Sequence, residues 1–206
     1  MRKTKLLFEL AFISLMATSC ASHYQLTNVQ RTRILVDHRY DGIRNEKVDA
    51  MMRPYKHEVD SLMSPVVGRV KHDMSVSRPE STLSNLLADI LIWGGGAFHE
   101  TPDFAVYNMG GIRAALVKGD VTKGDVVDVA PFENKLCFLT LTGEQVLELF
   151  KQIASVGGEG VSHGVELRIT KDGQLKSALV HGKPIEPQRL YRIATLDSVS
   201  YTHLRA

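Results

Sequence analysis

An apolar run from Phe104 to Tyr107 ends on Asn108, turns at Gly110-Gly111, and reaches Arg113 before the chain continues as AALVKGDVTKGDVVDVAPFEN. Only after this polar passage does the next strand-like run, Leu136 to Leu141, begin. A strand that ends this way, with no evenly spaced βαβ unit behind it, points away from a regular parallel sheet and toward an α/β sandwich with mixed sheets.

The same passage carries the strongest chemical signal. Gly110 and Gly111 lack a β-carbon, so the backbone there can take positive φ and let a ligand come close. The turn aims Arg113, whose guanidinium can meet phosphate oxygens with two parallel charge-assisted hydrogen bonds. Asn108 adds a donor and an acceptor, and Phe132, set between Pro131 and Glu133, offers a flat face on which a heterocycle can stack for roughly 1–3 kcal/mol. Phosphate, polar edge and flat ring together describe a nucleotide. Each residue alone has a plainer reading, as a turn, a solvated arginine or a core ring. Their order and spacing favour the ligand.

The remaining elements follow from apolar period and caps. From Glu46, positions Val48, Met51, Met52, Tyr55, Val59, Leu62 and Met63 make one helix face, kinked or restarted at Pro54 and core-like in character. A second helix opens at Ser81 or Thr82, carries Leu83, Leu86, Leu87, Ile90 and Leu91, and stops at Gly94-Gly95-Gly96. Thr142 and Gln145 form a capping box for a third, with Val146, Leu149, Phe150 and Ile153 inward. Glycines 157, 158 and 160 loosen the chain, Val165–Thr170 and Leu175–Val180 form a hairpin across Lys171–Gln174, and Tyr191–Thr195 is a further strand.

The two ends stand apart from this domain, expected over 45–198. MRKTKLLFELAFISLMATSC has a basic start, an apolar run from Leu6 to Met16 and small residues before Cys20, which reads as an export signal over 1–19 with Cys20 as a lipidated first residue. Residues 20–44 read as a tether. The expected location is the cell envelope, anchored to a membrane and facing the periplasm, with a soluble secreted form as the alternative. At the other end VSYTHLRA, Val199 to Ala206, reads as the in-frame translation of a transposon sequencing adapter; the native chain is expected to continue past Asp197, leaving the domain C-terminally truncated. Setting aside Arg2, Lys3, Lys5, Glu9 and Arg205 turns the formal charge of +2 into −1, so the basic excess gives no reason to expect nucleic acid. Cys137, in LCFLTL, is expected to be a buried small apolar residue with no catalytic role.

Metal chemistry needs clustered Asp, His and Asn, and among eight histidines the sequence has no H-x-H, D-x-H or G-N-H-E. Gly124 to Asp128 fits G-D-x-x-D by letter but stands alone, and is read as coincidence; His163 is read as a solvent-exposed loop residue. No catalytic and no metal-binding residue is assigned.

Taken in order, PESTLSNLLADIL, NMGGIR, GDVTKGDVVDVAPFEN, LTGEQVLELF, GVELRI and YRIATLD resemble the C-terminal, substrate-binding domain of the 5'-nucleotidase family, from about Val48 to Asp197. The resemblance implies a layered α/β/β/α domain. It also implies Asn108 on the base or ribose, Gly110 and Gly111 against the substrate, Arg113 on the phosphate, Phe132 as one wall of an aromatic clamp, Asn134 on the base edge and Gly158 near the nucleoside. The family helix follows a phosphate-reaching Arg; here Arg78 lies two residues before Glu80 instead of three, with Ser77 at the expected place. The opposite ring and a ribose-binding Asp are expected beyond YRIATLD, the ring at about Ser198. Hydrolysis in the family uses two metal ions, so divalent ions are expected in a separate metallophosphoesterase chain acting on nucleoside monophosphates or related nucleotides, with no cofactor in this one. The alternative is a non-catalytic nucleoside- or nucleotide-binding lipoprotein.

Overall fold

The structure, a computed structural model, describes residues 24, 26–35, 37–40, 42 and 44–199. The expected export signal, Cys20 and all of the expected adapter stretch except Val199 lie outside the described residues. The chain divides into two compact units, Met1–Asp49 and Ala50–Ala206. In the first, a short turn at His38–Tyr40 is held by Arg39, whose Nε and Nη2 donate to Asp37 at 2.7 and 2.8 Å.

The regular elements run α1 (Glu46–Met63), β1 (Val66–Val70), α2 (Thr82–Gly95), β2 (Phe104–Tyr107), β3 (Gly119–Thr122), α3 (Lys123–Val129), β4 (Leu136–Thr142), α4 (Gly143–Ser155), β5 (Gly160–Val161), β6 (Val165–Ile169), β7 (Leu175–Val180), β8 (Lys183–Pro184) and β9 (Leu190–Leu196).

A four-stranded mixed sheet of order β4-β9-β2-β5 is central. β9 runs antiparallel to β4, from Leu136↔Leu196 to Thr142↔Leu190, and parallel to β2 through Phe104↔Ile193. Because strand side chains alternate between faces, β2 feeds two cores. Ala105 and Tyr107 join Leu83, Ala88 and Leu91 of α2 on one face. Phe104 and Val106 join Val146, Leu149, Phe150 and Ile153 of α4 and Ala178 and Val180 of β7 on the other. The Phe104 and Phe150 rings meet at 5.2 Å between centroids, and each fully buried ring stabilises the fold by about 1.5–3 kcal/mol. β6-β7-β8 form an antiparallel three-stranded sheet, and β1-β3 a two-stranded ribbon.

Local chemistry accounts for the boundaries. The Ser81 hydroxyl accepts from Ser84 N at 3.2 Å and starts α2. Thr142 and Gln145 form the expected capping box, with Thr142 N donating to Gln145 Oε1 at 2.9 Å. At the hairpin Gly173 takes φ +73°, which a residue with a β-carbon resists, and its N–H donates to Thr170 O. Two buried hydroxyls complete the sheet: Ser162 Oγ accepts from Ala105 N at 2.8 Å, and Thr195 Oγ1 donates to Val106 O at 3.0 Å.

Two expectations need correction. α1 is one continuous helix through Pro54, so it is not restarted there, and against the core-like reading none of its residues is buried. Met51 is 61% exposed, Tyr55 63% and Leu62 53%; the periodic stripe exists, but no described element covers it. Cys137 is half-buried, because β4 is partly exposed along its whole length.

Candidate functional site

The turn after β2 is built by Asn108. Its side chain Oδ1 accepts from Gly110 N at 2.8 Å, its carbonyl accepts from Gly111 N at 2.9 Å, and Met109–Gly111 form a single 3-10 turn. Neither Gly110 nor Gly111 uses the positive φ that glycine leaves open to it. At 110 a β-carbon would lie 3.0 Å from Asn108 Oδ1, so the Asn108 side chain would have to shift by a few tenths of an ångström to admit one. At 111 a β-carbon would make only an ordinary 3.8 Å contact with the Tyr107 ring, so the chain itself does not demand glycine there.

Arg113 follows with its backbone fixed, its N–H donating to Val129 O at the end of α3. Its guanidinium carbon lies 5.3 Å from the centroid of the Phe132 ring. Phe132 is 46% exposed, and its own N–H donates to Ala130 O at 2.8 Å. The chain thus brings together two residues singled out for different parts of a nucleotide, with the cation over the ring face.

Asn134 is half-buried just before β4. Its neighbour Lys135 is clasped by Asp197, through Lys135 N to Asp197 Oδ1 at 3.1 Å and Asp197 N to Lys135 O at 3.0 Å. This clasp starts Ser198 beside the Phe132–Asn134 loop, the side from which a second ring is expected.

Arg78 is placed by a residue that sequence reasoning missed. Its Nη2 lies 2.7 Å from Glu159 Oε1, and Glu159 Oε2 accepts from Met109 N at 2.6 Å. One carboxylate therefore links Arg78 to the Asn108 turn. No sequence pattern marks this, because the partners are 81 and 50 positions away. Gly158, expected near the nucleoside, has φ +113°, and a β-carbon on it would sit 2.2 Å from Pro79 O. The close approach at Gly158 is made by the chain's own Arg78-Pro79 segment.

A cleft of about 1130 Å³ lies elsewhere: it follows edge strand β6 and is lined by Asn85, His163, Arg168 and His181. It meets the constellation above through Pro79, Gly158 and Glu159. Asn108, Arg113 and Phe132 all stand outside the cleft. His163 is exposed, with its N–H on Asp89 Oδ1 at 2.6 Å.

Asp125 of the G-D-x-x-D letters has a local task. With Thr122 it forms the capping box of α3, and the Thr122 hydroxyl and N–H hold its carboxyl below the ordinary 3.8. Among the described residues no group of three or more His, Cys, Asp or Glu side chains is placed to hold a metal ion. Also among the described residues, no helix is long and apolar enough to cross a membrane.

Residues 66–202 match the family described as the 5'-nucleotidase, C-terminal domain. The chain belongs to this family. Among similar proteins, protein UshA of Yersinia enterocolitica is 33% identical over 149 residues, which cover 69% of this chain and 26% of that protein. The 5'-nucleotidase of Vibrio cholerae is 27% identical over 150 residues, 68% of this chain and 26% of its own length. The crystal structure of a 5'-nucleotidase precursor from Thermus thermophilus superposes with a TM-score of 0.63 at 26% identity, covering 75% of this chain and 34% of that one. The 5'-nucleotidase C-terminal domain thus spans about a quarter of the relatives and a third of the solved structure that it resembles.

Proposed function

We propose that this 5'-nucleotidase C-terminal domain is the nucleotide-recognition part of a phosphohydrolase acting on nucleoside monophosphates or related nucleotides. The observation that carries the reading is the contact of Arg113 with Phe132 near in sequence to the Asn108 turn: a cation for the phosphate, a ring for the base and an amide for the ribose or base edge. Asn108 uses Oδ1 on Gly110, which assigns its amide N–H groups to the ligand. Gly111 supports close approach of the substrate, because the fold leaves room there that glycine alone keeps open. Asn134 takes the base edge, Arg78 is a second cation for the phosphate, and the opposite ring comes from the segment beginning at Ser198.

The described residues offer no donor set for the divalent ions that phosphomonoester hydrolysis of this kind uses, so no hydrolytic step is assigned to them. We assign that step to a separate metallophosphoesterase chain, with both parts held at the cell envelope. A lipid on Cys20 would raise their effective concentration by confining this chain to the membrane surface. The names of the relatives, which include 5'-nucleotidases, agree with the substrate class.

The test is release of inorganic phosphate from AMP by the purified chain, alone and with a co-encoded metallophosphoesterase. Release only with both present is the expected result. Binding of AMP without release in either condition would replace this reading with that of a non-catalytic nucleotide-binding protein.

A further inference from the structure

We propose that Glu159 is a positioning residue that sets Arg78 for the phosphate group, an inference that rests on the reading of Arg78 given above. The glycines on either side of Glu159 lock it between two separate segments. A β-carbon on Gly158 would meet Pro79 O at 2.2 Å, and one on Gly160 would meet Ser84 O at 2.8 Å and Tyr107 O at 3.0 Å. The loop can close this tightly only without side chains at 158 and 160. Closure delivers the carboxylate between the residue before Pro79 and the residue two beyond Tyr107.

What the carboxylate then does is divided by oxygen. Oε2 accepts from Met109 N at 2.6 Å and ties down the turn that carries Asn108. Oε1 takes Arg78 Nη2 at 2.7 Å. The Glu159 side chain is 12% exposed while that of Arg78 is 40% exposed, so the acid is the fixed partner and the guanidinium the accessible one. A guanidinium has five N–H donors in a rigid fork, and one donor held on a fixed oxygen leaves the others directed rather than free to rotate. Long side chains lose much rotational freedom on binding, and an arginine already held loses less.

Glu159→Gln separates the two oxygens. Glutamine keeps a carbonyl to accept from Met109 N, but places an amide N–H₂ group against the guanidinium. Calorimetric titration of the full chain with AMP and with adenosine reads the two consequences. The expected result is AMP affinity weakened about fivefold to tenfold with adenosine affinity unchanged. Arg78→Ala should weaken AMP in the same selective way, and adding Glu159→Gln to it should cause no further loss, since the two residues act as one unit.

Equal loss for both ligands would make Glu159 a structural clasp only and overturn the proposal. So would an unchanged AMP affinity, or full additivity with Arg78→Ala. If Arg78→Ala leaves AMP affinity intact while Arg113→Ala abolishes it, the positioning role is wrong and the nucleotide reading survives. Wild-type protein that takes up neither ligand ends both.

Discussion

The guanidinium of Arg113 lies over the ring of Phe132, 5.3 Å from carbon to centroid. The ring therefore has one face occupied by a cation from its own chain. A base stacking on Phe132 must use the other face or displace the guanidinium. In the unliganded chain the contact keeps two exposed groups together at modest energy, about 0.5–1 kcal/mol for an exposed cation–π pair.

That energy sets a first expectation. Arg113→Ala and Phe132→Ala should each lower unfolding free energy by no more than about 1 kcal/mol, read from urea denaturation. A loss of several kcal/mol would show that the pair is part of the folding core and would spoil its use as a probe of binding.

Gly158→Ala should behave in the opposite way. Its φ of +113° disfavours any β-carbon, and Pro79 O already fills the space. A destabilisation of more than about 2 kcal/mol is expected in the same assay, from strained backbone and the displaced Pro79 segment together. A near-neutral result would mean that the loop around Glu159 is not held as described.

The acid limb of stability should report two carboxylates. The hydrogen bond from Arg192 holds the Glu100 carboxyl below its ordinary 4.5, and Thr122 holds Asp125 below 3.8. Since the folded values are depressed, the unfolded chain binds more protons in this range, and stability rises with pH. The contribution is complete above the unfolded values and is lost as pH falls through the folded ones. Thermal melts followed by circular dichroism should show Tm falling steadily below about pH 5, with a shallower fall in Glu100→Gln. An identical slope in that variant would remove Glu100 from the explanation.

The stripe on α1 gives a fourth expectation. With Met51, Tyr55 and Leu62 each more than half exposed, their replacement by Ser should change unfolding free energy by less than about 0.5 kcal/mol apiece. Losses of about 2–5 kcal/mol, as for buried apolar residues, would mean that this face is covered in solution.

Much of the fold was legible because its signals are local. The Ser81 start of α2, the Thr142–Gln145 box and the Gly173 hairpin each lie within a few residues of their effect. β1, β3, β5 and β8 were missed because they are short or exposed, and short exposed strands carry little periodicity. α3 was hidden in a passage read as a loop, although Thr122 and Asp125 stand at capping-box spacing. On α1 the period correctly revealed a face, but a period does not say whether anything packs against it. The site divides in the same way. Asn108, Arg113 and Phe132 share one stretch of sequence, whereas Glu159 acts through contacts that only the folded chain creates.

The most direct test is calorimetric titration of AMP into the intact chain and into an Arg113→Ala, Phe132→Ala double variant whose fold is verified by circular dichroism. The account predicts saturable, one-to-one heat with the wild type and none with the double variant. Heat that persists undiminished after both side chains are removed, or no heat from the wild type, would contradict it.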